Sequence, residues 1–312
     1  MADRRRGLGA GALAAAVVAT LVGCTPMADA ARDATAKVEQ VVGDSGKVSA
    51  STRERGINVT ASCSITVRLG IGTSAAETSV VLEDVWAAPG DSPCVVTTVE
   101  LANRSSMLGS PAVAMPSQAA AAASDVLQRF GFVITLGVSD GDVSATSSAR
   151  TGDFSTAAQL VREASTSTEL DDPFGRVFWS LRWTGEGAPY DDVTVTSDSA
   201  PPAALVDLLT GLGDLRASGT LGEPTSAADA ELDSPIIGMS VTSVTEAGST
   251  ALSVDLTVEG WDAAELAARG DDLSSSSRAA DAARSITAIA ASAGMSIDSI
   301  TANQAVELLA AG

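Results

Sequence analysis

The 312-residue chain predicts an α+β protein, with antiparallel sheets covered on one face by helices. Three patterns carry that expectation. Ile57, Val59, Ala61, Cys63, Ile65, Val67 and Leu69 alternate with polar residues, the period of a half-buried strand. Ser139-Asp140-Gly141-Asp142, set between two β-rich runs, is a hairpin turn. Ala279, Ala282, Ala283, Ile286, Ile289, Ala290 and Ala293 recur at the spacing of a helix face.

At the N-terminus, Arg4, Arg5 and Arg6 precede an apolar run from Gly7 to about Leu21. That run is about 15 residues, short of the ~20 that cross a bilayer. It ends at Leu21-Val22-Gly23-Cys24. Basic region, apolar core and small residues before a cysteine together resemble the lipobox of bacterial lipoprotein precursors. The resemblance covers residues 1–24 only. It implies that residues 1–23 are a cleaved signal peptide and that Cys24 carries a diacylglyceryl group, with palmitate or a similar acyl chain. The implied address is the extracytoplasmic face of the cell membrane, held through the lipid. Acyl chains in pairs hold far better than one alone. Arg5-Arg6-Gly7-Leu8 is similar to a twin-arginine export signal, so that route and the general secretory route both stay open.

Residues 24–34 read as a polar, lipidated tether, and 35–104 as a first α+β module. In that module a helix running to Val42 precedes the strand at 57–69, a helix from Ala75 to Trp86 and a strand from Cys94 to Leu101. The proline-bearing stretch 105–117 reads as a linker between domains. From 118 onward, Ser117 caps an Ala-rich helix ending near Phe130, followed by strands 131–138 and 142–149. A helix from Phe154 to Ser165 leads to strands 175–184 and 191–197. Pro201-Pro202 opens a helix to about Leu212. Strands 236–244 and 250–258, the Ala-rich helix and a short strand from Ser296 complete the chain. The repeated order is helix, strand, strand. Residues 142–244 read β-α-β-β-α-β, the order of tandem ferredoxin-like (split βαβ) modules across 118–312.

Composition narrows the function. Removing residues 1–23 takes away a net +2 and moves the formal charge from −20 to −22. Such a chain repels nucleic acid, so no nucleic-acid partner is expected. The Ala- and Arg-rich, Lys-poor usage resembles that of high-GC actinobacteria. Cys63 and Cys94 form an even pair in an exported chain, which predicts one disulfide; two buried thiols are the alternative.

There is no histidine, which removes Ser-His-Asp and Cys-His catalysis and every histidine metal site. Gly43-Asp44-Ser45-Gly46 resembles the nucleophile motif of trypsin-like proteases over four residues, but it lacks the following Gly-Pro and has no histidine to take the proton, so it reads as a turn. Lys37 and Lys47 are the only lysines, and neither follows a serine by three. Carboxylate pairs remain at Glu83-Asp84, Asp171-Asp172, Asp191-Asp192 and Asp271-Asp272. Such pairs serve glycoside hydrolysis or calcium binding when grouped, and otherwise cap helices or solvate turns. Trp179 and Trp183 share one strand face, which is either the core of the second domain or a binding surface.

The expected function is that of a lipid-anchored cell-envelope protein acting as a non-catalytic binding or scaffolding module. Its partner would be an envelope protein or wall component, with no cofactor and no metal. The alternatives are a carboxylate-dependent cell-wall hydrolase and the solute-binding receptor of a transporter.

Overall fold

The computed structural model describes residues 25–53, 62–109, 114–139, 141–150, 152–185, 191–222, 234–260, 268 and 277–310. Cys24, the 57–61 part of the predicted strand and Asp271-Asp272 lie outside them. The chain forms two compact units, Met1–Gln128 and Arg129–Gly312.

The first unit contains α1 (Thr25–Val42), β1 (Gly46–Arg53), β2 (Ser62–Leu69), α2 (Ala75–Asp84), β3 (Cys94–Glu100) and β4 (Ser106–Gly109). Its last element is α3 (Ser117–Arg129), whose final residue begins the second unit. The tether is therefore helical from Thr25. Ala34, Val38 and Val42 are buried, and α1 packs on β1, β2 and β3. Ser74 and Glu77 form a reciprocal capping box that starts α2. The expected linker at 105–117 is not the boundary. Met107 in β4 is fully buried, which anchors that stretch in the first unit.

The second unit holds β5 (Ile134–Ser139), β6 (Asp142–Ala149), α4 (Phe154–Ser165), β7 (Val177–Thr184) and β8 (Asp192–Ser197). It continues through α5 (Ala204–Ala217), β9 (Ile236–Glu246), β10 (Ser249–Val258), α6 (Arg278–Ser292), β11 (Ser299–Ala302) and β12 (Val306–Ala310). Strands pair in chain order. The hairpins β5–β6, β7–β8, β9–β10 and β11–β12 are antiparallel, while β6–β7, β8–β9 and β10–β11 are parallel. The first unit follows the same rule, with β1–β2 and β3–β4 antiparallel and β2–β3 parallel.

The fold is thus mixed α/β, which corrects the expectation of purely antiparallel sheets. Each helix carries the chain back to the starting end, so the next strand must run parallel to the last. Direct β6–β7 and β8–β9 pairing also departs from the split βαβ order, which would place another strand between each such pair. The helix-strand-strand repeat itself is present.

In the second unit, α4 packs on β6 and β7 and against α5, and α5 packs against α6. Inward residues of β6–β10 include Val143, Trp179, Leu181, Val195, Val241 and Leu256, all buried. The opposite face carries Ser144, Thr146 and Ser148 on β6, and Phe178, Ser180 and Arg182 on β7, all exposed. One face is oily and covered; the other is hydroxyl-rich and meets water.

Candidate functional site

Strand β7 decides which side chains face outward. Its sequence, VFWSLRWT, alternates buried and exposed, so Val177, Trp179, Leu181 and Trp183 point inward. Trp179 is 2% exposed and Trp183 1%. Trp179 stacks with Phe130 at 6.2 Å between centroids, and Trp183 lies 5.1 Å from Phe154. These tryptophans form core and not a binding surface, because helices cover the face they occupy. The same parity sends Phe178 outward, at 38% exposure.

Along that outward edge run Arg176, Phe178, Ser180 and Arg182. The Arg176 guanidinium sits 4.7 Å above the Phe178 ring centre, a cation–π contact. A shallow groove of about 530 Å³ opens there, walled by Ser180, Thr196, Asp198, Val244 and Glu246 as well. A second depression, of about 490 Å³, is lined by Ser148, Arg150, Arg182 and Thr184. Cation, ring and hydroxyls suit reversible binding of a polar surface. The signal for this strip was the β7 alternation itself, once the tryptophan face is read as inward.

The acidic pairs among the described residues stand at different elements. Glu83 accepts the Ser117 hydroxyl at 2.6 Å, joining the end of α2 to the start of α3. Asp171 and Asp172 are exposed beside a short 3₁₀ turn. Asp191 is buried while Asp192 stands on the outward face. Burial pushes the Asp191 carboxyl above its ordinary value, partly offset by the Arg216 guanidinium and the Met239 N–H. Its oxygens are held by Met239 N at 2.8 Å and Arg216 Nε at 3.3 Å. Among the described residues, no three His, Cys, Asp or Glu side chains gather as a metal site.

The Gly43-Asp44-Ser45-Gly46 stretch is a 3₁₀ turn leading into β1. The Ser45 carbonyl accepts from Gly70 N at 2.7 Å and Thr73 Oγ1 at 3.1 Å, which ties the turn to the end of β2. Cys63 and Cys94 are joined by a disulfide. No helix of the described residues is long and apolar enough to cross a membrane. Compared with known proteins, the chain matches no family model, no curated protein and no solved structure.

Proposed function

We propose that the chain is a lipid-anchored, extracytoplasmic protein of the cell envelope that binds a partner without catalysis, through the outward face of the β6–β9 sheet. The observation that carries this reading is the alternation of β7. It buries both tryptophans and sets Arg176, Phe178 and Arg182 among the hydroxyls of β6 and β8. A broad, shallow, polar face suits a protein or wall surface better than a small substrate, which calls for an enclosing cleft. Lipid at Cys24 would hold the protein at the membrane. The disulfide supports an oxidising compartment outside the cytoplasm.

Complementation of host cells lacking the protein tests the reading. Cys24→Ser should abolish palmitate labelling and remove the protein from the membrane fraction, since serine offers no thiol. Phe178→Asp combined with Ser180→Arg should abolish complementation while leaving fold and anchoring unchanged. Asp192→Asn should complement fully. If one exposed Asp→Asn change abolished complementation with folding intact, the carboxylate-dependent hydrolase would replace this reading.

A further inference from the structure

We propose that Arg150 and Arg182 form a binding site for an oxyanion, a phosphate or carboxylate group, at one end of the outward face. The site deepens the binding-module reading and rests on it for the choice of face.

Strand register brings the two arginines together. In the parallel β6–β7 pair, Ser148 stands opposite Arg182. Arg150 lies two residues beyond Ser148 and, by the two-residue period, on the same face. The arginines are therefore diagonal neighbours, about 7–8 Å apart at the backbone. Long side chains at that separation can converge on one small anion. Both arginines line the depression of about 490 Å³, together with the hydroxyl-bearing Ser148 and Thr184.

The charge environment makes the pairing informative. Acidic residues outnumber basic ones by 39 to 19, so a surface arginine here meets carboxylates easily. Arg129, Arg216 and Arg284 each do so within the second unit. Arg150 and Arg182 instead have no carboxylate within 4.0 Å among the described residues. Among the described residues the nearest acid by register is Asp192, opposite Thr184 on β8, and it bridges neither arginine. Two adjacent cations repel unless an anion lies between them. Guanidinium forks match the paired oxygens of carboxylate and phosphate, and the hydroxyls add donors at the rim.

The test uses the chain from Cys24 onward with its disulfide intact, at low ionic strength, with inorganic phosphate, succinate and phosphatidylglycerol vesicles as probes. Phosphate or succinate should raise the melting temperature and titrate to saturation. Arg150→Gln and Arg182→Gln should each weaken binding at least about tenfold, the loss of one charge-assisted bidentate contact. Arg284→Gln, a charge-matched change on α6 outside the strip, should alter it less than about twofold. Saturation by free anion without vesicle binding assigns the site to a soluble ligand. Vesicle binding lost in R182Q, without a response to free anion, assigns it to a lipid headgroup. No response to any probe overturns the proposal, as does an equal loss in R284Q, which would mark general charge attraction. Failure of the site with intact Phe178-dependent complementation would leave the module reading standing.

Discussion

Arg216 and Asp191 lock the crossover from β8 through α5 to β9. Arg216 Nε lies 3.3 Å from Asp191 Oδ2, and its two terminal nitrogens donate to the carbonyls of Ile236 and Ile237 at 2.6 and 2.8 Å. Asp191 in turn accepts from Met239 N at 2.8 Å. One ion pair thus fixes the last turn of α5 against two edges of β-structure. That explains why the helix runs through Gly211 and Gly213 to Ala217, beyond the end near Leu212 that its apolar pattern predicts.

Removing Arg216 should cost more than neutralising Asp191. Arg216→Gln leaves a buried carboxylate without its cation and should lower stability by about 3 kcal/mol at neutral pH. Asp191→Asn keeps an acceptor for Met239 N and should cost about 1 kcal/mol. The pH dependence follows from the raised carboxyl. The folded state takes up a proton at Asp191 before the unfolded state does, so this site's contribution to stability falls as pH rises above the ordinary 3.8. The Arg216→Gln deficit should therefore shrink as pH is lowered from neutral toward that value. Urea unfolding at several pH values checks this, and a deficit independent of pH would contradict it.

Much of this was legible in the sequence, for reasons that individual residues make plain. Strand β10 alternates Leu252, Val254, Leu256 and Val258 against polar residues because one face is covered, and covered faces write a period. Strand β1 hides from that test. Nearly all of its residues are exposed, so GKVSASTR records no core. Strand β4 buries only Met107 and reads as loop. Parallel pairing was invisible because direction depends on helical crossovers, not on composition. The site was half visible. Period two separates Phe178 and Arg182 from the tryptophans but does not say which set faces water. The meeting of Arg150 with Arg182 depends on register between strands, which no single segment encodes.

The protease-like GDSG stretch should behave as structure. A Cβ on Gly46 would lie 2.4 Å from the Arg68 carbonyl oxygen on β2, a backbone atom that cannot swing away. Gly46→Ala should therefore destabilise the first unit by about 2 kcal/mol. Ser45 contributes its carbonyl to the turn, so Ser45→Ala should stay within about 0.5 kcal/mol. Thermal unfolding of the two variants decides the matter. A costly Ser45→Ala with a neutral Gly46→Ala would reverse this assignment.

Cys63 and Cys94 occupy paired positions on parallel neighbours, with Cα atoms 4.4 Å apart and both side chains buried. The bridge closes a span of 31 residues. In the chain-entropy account its loss should cost about 3–4 kcal/mol. Replacing both cysteines by serine should lower the guanidinium midpoint of the first unit and leave that of the second unchanged. Because both sulfurs are buried, the native bridge should resist reductant until the unit unfolds. Rapid thiol labelling of the folded protein under mild reduction would contradict that.

The two faces of β7 should answer mutation in opposite ways. Trp183 is fully enclosed against Phe154, so Trp183→Ala removes a large packed ring and leaves a cavity that the sheet and α4 close only in part. A loss of about 3–5 kcal/mol is expected. Trp179→Phe should be much milder. The Trp179 Nε1–H is buried without a partner among the described residues, so phenylalanine gives up area but also removes that unpaired donor. Phe178→Ala strips an outward ring that holds Arg176 and should cost about 0.5–1 kcal/mol. Its effect should fall on binding instead. Melting temperatures of the three variants, read beside complementation, separate these roles. If Phe178→Ala unfolded the unit while Trp183→Ala left it stable, the inward and outward faces of β7 would have to be exchanged.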